Sequence, residues 1–180
     1  MHDDVIILAG PPGAGKSTTA RALAAEFALS VHLHTDDFWH FIAAGSIPPY
    51  LPESDRQNQT VMTVIASAAG IYARGGYTVI VDGIVGPWML DHFRGLAREP
   101  EAPTIHYCLL RPRREVALAR ATARTGPDDL TDDGPITAMW DQFAHLGELE
   151  PHAIDSSDQT REETLSAILD GIAAQRFRLP

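Results

Sequence analysis

The residues best suited to chemistry lie near the amino terminus, in a glycine-rich stretch within residues 5–18. Gly10, Gly15, Lys16 and Ser17 satisfy the pattern G-x-x-x-x-G-K-[ST], in which successive backbone N–H groups surround a phosphate chain. The lysine would reach the β- and γ-phosphates, and the serine hydroxyl would contact Mg²⁺. The stretch therefore predicts a nucleoside triphosphate site, with ATP and Mg²⁺ as cofactors. The expected nucleotide contacts are Gly10, Gly13, Ala14, Gly15, Lys16, Ser17 and Thr18.

Two adjacent aspartates, Asp36 and Asp37, follow a predicted strand at residues 31–35. Phosphoryl transfer to a hydroxyl needs a carboxylate that orients the nucleophile and takes its proton. Since neighbouring side chains point in different directions, we expect only one of the two to face the site, and we favour Asp36. The alternative is that the pair caps a helix or forms an Asx turn.

A third aspartate, Asp82, ends the apolar run Val79-Ile80-Val81. A hydrophobic strand followed by aspartate is typical of a residue that helps to hold Mg²⁺, here together with Ser17. The next residue is Gly83, where motor-type and chaperone-type ATPases generally carry a carboxylate that activates water. Its absence favours transfer to a bound acceptor over hydrolysis. The alternative is an ordinary Asp-Gly turn at the end of a strand.

Arg120 and Arg124 lie four residues apart and so share one face of a predicted helix. They lead into a polar segment rich in turn-forming residues, which predicts a lid around residues 112–135. Lid arginines neutralise the charge on a transferring phosphoryl group. The alternative is a solvated basic face, to which we assign Arg113 and Arg114.

Histidine and aromatic residues also fall near these aspartates. His34 and His40 flank the pair and could line an acceptor pocket or have structural roles. Phe38, Trp39 and Trp88 could pack in the core or stack against a substrate. The sequence leaves these alternatives open.

The elements that position these residues alternate between strands and helices. Such alternation predicts an α/β fold of three layers, with a five-stranded parallel sheet and helices on both faces. Ligands of these sheets bind beyond the carboxyl ends of the strands, where all the residues above converge. Strands are predicted at 5–9, 31–35, 77–81, 104–110 and 152–154, and the longer helices at 15–28, 55–73, 111–124 and from 160 onward.

Several side chains are assigned to packing or capping. Met139, Phe143 and Leu146 are predicted to share a helix that precedes the last strand. Thr160 and Glu163 have the spacing of a capping box. In the helix at 55–73, four residues at helical spacing are expected to face the core: Val61, Ile65, Ala68 and Tyr72.

Composition limits the remaining possibilities. The 180 residues are most simply one domain, residues 1–180, and the formal net charge of −10 disfavours a general nucleic-acid partner. The single cysteine, Cys108, lies in an apolar run and is expected to be a buried thiol. With neither a basic leader nor an apolar run of membrane-spanning length, we expect a cytoplasmic protein without a membrane partner. The oligomeric state is left open.

These segments together resemble the small P-loop kinase superfamily, which includes shikimate kinase, gluconate kinase, adenylylsulfate kinase and chloramphenicol phosphotransferase. The resemblance extends over most of the chain. It is carried by GPPGAGKS at 10–17, TDDF at 35–38, VIVDG at 79–83, LLRPRREVALARATAR at 109–124 and AIDSSDQTREET at 153–164.

The resemblance implies a P-loop NTPase fold and an ATP- and Mg²⁺-dependent phosphotransferase that acts on a hydroxyl of a small molecule. Lys16 then belongs to the phosphate loop, Asp36 matches the acceptor-contacting aspartate, and Arg120 and Arg124 match the lid arginines. The chain departs from the family's frequent D-x-D pattern, because His34 replaces the first aspartate.

Two other functions remain open at this stage. One is a kinase of related fold that acts on a nucleic acid or a nucleotide sugar. The other is a nucleotide-binding switch, or a slow NTPase, without a small-molecule acceptor.

Overall fold

A parallel sheet lies at the centre of the structure, a computed structural model that describes residues 4–98, 102–126 and 130–180. Within the described residues the sheet has five strands in the order β2-β3-β1-β4-β5, and every pairing is parallel, as predicted. The strands are β1 (Asp4–Ala9), β2 (Ser30–His34), β3 (Thr78–Gly83), β4 (Thr104–Leu110) and β5 (Ala153–Ile154).

The central strand β1 explains why the sheet forms here. All six of its residues are buried, as expected for a parallel strand covered by helices on both sides. Because side chains alternate along a strand, Ile7 packs into one core layer while Ile6 and Leu8 pack into the other. The strand thus carries the chain through the middle of the domain and ends at the glycine-rich loop.

The connections between the strands are helical. Helix α1 packs with α7 in one core layer, and α3 packs with α4 in the other. The described helices are α1 (Lys16–Ala25), α2 (Thr35–His40), α3 (Asp55–Arg74), α4 (Asp91–Arg94), α5 (Arg114–Thr122), α6 (Asp133–Asp141) and α7 (Arg161–Ala173), with short 3₁₀ turns at Pro52–Ser54, Pro87–Met89, Leu96–Arg98 and Gly147–His152.

Helix boundaries differ from the predicted ones at several points. Helix α1 ends at Ala25 rather than at residue 28. Helix α5 begins at Arg114 rather than at residue 111, because the preceding residue, Arg113, has a non-helical ψ angle of 147°. Helix α6 ends at Asp141, so the prediction that Phe143 and Leu146 share a helix with Met139 is wrong, although both side chains are buried. Of the predicted lid, residues 127–129 lie outside the described residues.

The packing predictions for single side chains are mostly confirmed. Val61 and Ile65 are buried, whereas Tyr72 is 43 % exposed and meets the ring of Tyr77 edge-on, so its assignment to the core is wrong. Cys108 is fully buried. At the start of α7, Thr160 and Glu163 form both hydrogen bonds of the capping box. Among the described helices, none has the length and apolarity needed to cross a membrane.

One buried histidine makes the stability of the fold sensitive to pH. His106 on β4 is buried, and within the described residues neither of its ring nitrogens has a hydrogen-bond partner. Burial lowers the pKa of His106; Asp4, whose Oδ2 lies 3.8 Å from Nε2, opposes this effect, and Arg178 adds to it. The ring is therefore neutral in the folded protein, while the unfolded chain takes up a proton near pH 6.5.

We predict that a His106→Leu variant loses less stability than the wild type between pH 7 and pH 5. The folded state binds the proton of His106 more weakly than the unfolded state, so acid favours unfolding below about pH 6.5. Urea unfolding at several pH values would measure the free energy of unfolding. The exposed His40, changed to glutamine, is the matched control for the loss of one histidine. Parallel pH profiles for wild type and His106→Leu would contradict the prediction.

Candidate functional site

The glycine-rich loop between β1 and α1 forms a concave backbone surface. Gly13 and Gly15 have φ angles of 78° and 89°, in the left-handed region that glycine adopts at little energetic cost. Helix α1 begins at Lys16, and no side chain caps its first turn. The unpaired N–H groups and the positive end of the helix dipole therefore point at the loop, which makes it suited to an anion such as a phosphate.

At two positions of the loop, a side chain larger than that of glycine would clash with neighbouring backbone. A Cβ atom on Gly10 would lie 2.3 Å from the backbone oxygen of Leu110, at the end of β4. A Cβ atom on Gly13 would lie 2.0 Å from the backbone oxygen of Ala117, in α5. The loop is thus held against β4 on one side and against the first helix of the predicted lid on the other.

Lys16 lies at the centre of the site. Its side chain is buried, and Nζ donates a hydrogen bond to the backbone oxygen of Pro11 at 2.9 Å. Burial lowers the pKa of Lys16 to about 8; Asp36 and Asp82 act to raise it, and Arg124 lowers it further. Three predicted site residues, Asp36, Asp82 and Arg124, therefore lie within electrostatic reach of the same ammonium group.

Asp82 is a fully buried carboxylate at the end of β3. Its Oδ1 accepts hydrogen bonds from His32 Nε2 at 2.5 Å and from His34 Nδ1 at 3.1 Å. Burial alone would raise the pKa of Asp82, but the hydrogen bonds from His32 and His34 and the nearby Ser17 hydroxyl hold it well below its usual range. The carboxylate is therefore ionised near neutral pH.

The other oxygen of this carboxylate is available for a ligand. Within the described residues, Asp82 Oδ2 is buried and has no hydrogen-bond partner. A buried, unpaired anionic oxygen is costly unless something binds it. Together with the Ser17 hydroxyl beside it, this oxygen is the kind of hard donor that Mg²⁺ prefers, and Mg²⁺ commonly uses one or two protein ligands plus phosphates. The residues present therefore fit the expected metal.

The sequence did not predict that two histidines would hold Asp82. A signal was present, since residues two apart on a strand face the same side, and β2 aligns His34 with Asp82 on β3. The hydrogen bond to Asp82 raises the pKa of His34, and burial opposes this effect. His34, at the departure from D-x-D, thus supports the buried aspartate of the neighbouring strand.

Asp36 and Asp37 both lie in the first turn of α2. Asp36 raises the pKa of Lys16, and its Oδ2 lies 3.7 Å from Nε2 of His34. Its side chain is 64 % exposed, so an acceptor can reach it. These contacts agree with our preference for Asp36, whose role as a base stays a prediction.

The two predicted lid arginines have different surroundings. Arg120 donates to the backbone oxygens of Ser157 at 3.1 Å and Ser156 at 3.5 Å, in the turn between β5 and α7. Arg124 instead acts on Lys16, whose pKa it lowers. Arg113, which we assigned to a solvated face, forms a bidentate ion pair with Asp158. Of the predicted pair, Arg124 is thus the arginine that acts on the ammonium of Lys16, while Arg120 is bonded to the turn before α7.

The position after Asp82 cannot carry a larger side chain without rearrangement. A Cβ atom on Gly83 would lie 1.8 Å from Oγ1 of Thr35, the first residue of α2. Glycine here is therefore required by the packing of α2 against β3. The same packing places Asp36 at the site and leaves no room for a water-activating glutamate.

Comparison with known proteins identifies a family and a fold. The AAA_33 family model, described as an AAA domain, matches residues 5–147. A sugar kinase from Janibacter sp. HTCC2649 has a similar structure, with a TM-score of 0.65, 23 % sequence identity and 94 % of each chain covered. No curated protein sequence matches the chain.

Two further solved structures share the fold. A gluconokinase from Sinorhizobium meliloti 1021 aligns with a TM-score of 0.68 and 19 % identity, over 97 % of this chain and 94 % of its own. Shikimate kinase from Acinetobacter baumannii, solved in complex with shikimate, aligns with a TM-score of 0.60 and 19 % identity, over 96 % of this chain and 94 % of its own. At these identities the likeness establishes the fold.

We predict that Gly13→Ala lowers the affinity for ATP by about 100-fold, because the methyl group would push the loop away from α5 and displace the N–H groups that surround the phosphates. Titration with a fluorescent N-methylanthraniloyl derivative of ATP would measure this affinity. Gly76→Ala is the matched control, since Gly76 has a similar φ of 85° but no atom within 4 Å of an added Cβ. Equal losses of affinity in both variants would show that the contact with α5 is unimportant.

Proposed function

The chain belongs to the AAA_33 family, described as an AAA domain, and has the fold of the small P-loop kinases, and we propose that it is an ATP-dependent phosphotransferase. It moves the γ-phosphoryl group of ATP to a hydroxyl of a small molecule. The observation that carries the proposal is the position of Asp36, an exposed carboxylate that lies within electrostatic reach of the phosphate-loop lysine. The small-molecule kinases that share the fold add support.

In this proposal the loop binds the donor nucleotide. The N–H groups from Gly13 to Thr18 surround the phosphates, and the ammonium of Lys16 exchanges its hydrogen bond with Pro11 for the β- and γ-phosphate oxygens. Binding of the anion also favours the charged form of Lys16, whose pKa is about 8 in the free protein. Ser17 and Asp82 would hold Mg²⁺, which supplies positive charge to the phosphate chain.

Asp36 acts on the acceptor. Its carboxylate accepts a hydrogen bond from the acceptor hydroxyl, orients the oxygen toward the γ-phosphorus and takes the proton as the new P–O bond forms. The bond between the γ-phosphorus and the bridging oxygen breaks, and ADP leaves. Because packing excludes a carboxylate at Gly83, no second group of the kind that activates water is available there.

The segment around residues 112–135 acts as a lid. Arg124, within electrostatic reach of Lys16, neutralises charge on the transferring phosphoryl group. Arg120, bonded to the backbone of Ser156 and Ser157, anchors the lid helix to the turn before α7. Since α5 also contacts the loop at Gly13, the helix that leads to Arg124 is attached directly to the nucleotide site.

We predict that Asp36→Asn lowers acceptor-dependent ADP release by about 100-fold to 10,000-fold, since the amide cannot take a proton. ATP affinity should change little, because the change leaves the loop intact. The assay is ADP release in the presence of a panel of hydroxyl-bearing metabolites. Asp37→Asn, one residue away in the same helix turn, is the matched control and should retain most of the activity.

Two results would argue against the proposal. If Asp36→Asn transfers phosphate as fast as the wild type, Asp36 is not the base. If ATP binds tightly and no acceptor stimulates ADP release, the chain is a nucleotide-binding switch or a slow NTPase.

A further inference from the structure

Helix α3 presents an uncharged face to the solvent. No aspartate, glutamate, lysine or arginine occurs between Arg56 and Arg74, although these residue types make up 21 % of the chain. The solvent-facing side of a helix in a globular protein normally carries charged and polar residues. The exposed residues of this run are therefore unusual for a surface that contacts water alone.

Four exposed residues of α3 lie in one narrow row along this face, which we call the uncharged stripe: Thr60, Val64, Ser67 and Ile71. Spacings of three and four residues keep them on the same side of the helix. Val64 is 52 % exposed and Ile71 is 64 % exposed. Apolar side chains of this size gain free energy when a partner removes them from water.

The two hydroxyl groups of the uncharged stripe can be buried at little cost. Thr60 donates to the backbone oxygen of Arg56 at 2.9 Å, and Ser67 donates to the backbone oxygen of Thr63 at 2.8 Å. Because both protons are already used within the helix, neither hydroxyl needs water as an acceptor. Ser67 is also small, so another helix can approach closely at the middle of the stripe.

Apolar surface continues from the uncharged stripe to the end of α2. Phe41, the residue after α2, is 75 % exposed and lines the same surface cavity as Val64. Two charged residues, Glu53 and Arg56, line this cavity too, and both precede the stripe in the chain. An uncharged centre with charges toward one end is typical of a protein–protein contact.

We propose that the uncharged stripe pairs with that of a second copy of the chain, across a two-fold axis that crosses α3 near Ser67. The two helices are then antiparallel. Val64 of each copy packs against Ile71 of the other, and the two Ser67 residues meet at the crossing point. Such a contact is self-complementary, as the interface of a two-fold symmetric dimer must be.

The charges favour a second copy in this orientation. Since the net charge is −10, two copies repel each other over most of their surface, and the uncharged face lets them approach with the least repulsion. At the start of α3, Glu53 and Asp55 outweigh Arg56, whereas the helix ends at Arg74. An antiparallel pair brings each Arg74 toward the acidic start of the other helix, while a parallel pair would place the two arginines side by side.

The available area is sufficient for a dimer. Helix α3 has 20 residues and is therefore about 30 Å long. It is flanked by α2, through the hydrogen bond from Trp39 to Asn58 at 2.9 Å, and by α4, through the one between His92 and Gln59 at 2.7 Å. A face of this length and about 20 Å in width buries about 1,200 Å² over two copies, above the minimum of about 1,000 Å² for a specific interface.

Sedimentation velocity of the full chain tests the inference. We expect the wild type to sediment as a dimer. Val64→Lys and Ile71→Lys should each raise the dimer dissociation constant at least about tenfold, because each places two unpaired ammonium groups in the contact, one from each copy. Ser166→Lys is the matched control, since it adds the same charge at an exposed position of α7, on the other face of the sheet, and should leave the dimer intact.

Cross-linking tests the orientation of the two helices. Ser67→Cys places a thiol at the crossing point, where the two Cα atoms should come within the span of a disulfide, about 4.4–6.8 Å. The native Cys108 is fully buried and should not compete. Mild oxidation with copper phenanthroline should therefore link Ser67→Cys into covalent dimers much faster than Ser166→Cys, the exposed control on α7.

Three results would overturn the inference. The first is a wild type that stays monomeric up to about 100 µM, above the dissociation constants of standard-size interfaces, in which case a different partner or none covers the stripe. The others are unchanged dimers in both lysine variants and equal cross-linking of the two cysteine variants. All the replaced side chains are exposed, so we expect the variants to fold, and circular dichroism checks this. The uncharged stripe contains no residue of the proposed phosphotransferase site, so these results do not depend on that proposal.

Discussion

Two carboxylates oppose the effect of burial on the pKa of the Lys16 ammonium, and they lie with it at the carboxyl edge of the sheet. Removing a lysine from water lowers its pKa, here to about 8, and a neutral lysine could not attract a phosphate chain. Asp36 and Asp82 counteract this loss from two neighbouring strand ends. Three elements, the phosphate loop, the start of α2 and the end of β3, are thus coupled by charge as well as by packing.

The histidines of β2 give Asp82 an asymmetric environment. One oxygen accepts two hydrogen bonds, while the other is buried without a partner within the described part of the chain. This arrangement keeps the carboxylate ionised and fixed in orientation, and it directs the remaining lone pairs to whatever binds beside Ser17. A buried charge that is only half satisfied weakens the free protein but favours a bound cation. His32 and His34 thus support the site through Asp82, and neither needs to touch a ligand.

Close contacts at two glycines connect the parts of the site mechanically. Gly83 allows Thr35, and with it α2, to approach β3. Gly13 allows the phosphate loop to approach α5. The first contact places Asp36 beside the loop, and the second joins the loop to the predicted lid. Binding at the loop can therefore influence both the acceptor side and the lid side of the site.

The parallel fold, the glycine-rich loop and the aspartates at the strand ends could be predicted from the sequence. These depend on local patterns: a buried β1, glycines followed by Lys16, and polar residues after apolar runs. The catalytic roles of these residues stay predictions, whereas the structure shows which groups surround them. The bonds of His32 to Asp82 and of Arg120 to the turn before α7, like the exposure of Tyr72, depend on which elements become neighbours. No local pattern predicts these contacts, because residues as distant as His32 and Asp82 meet through the register of two strands.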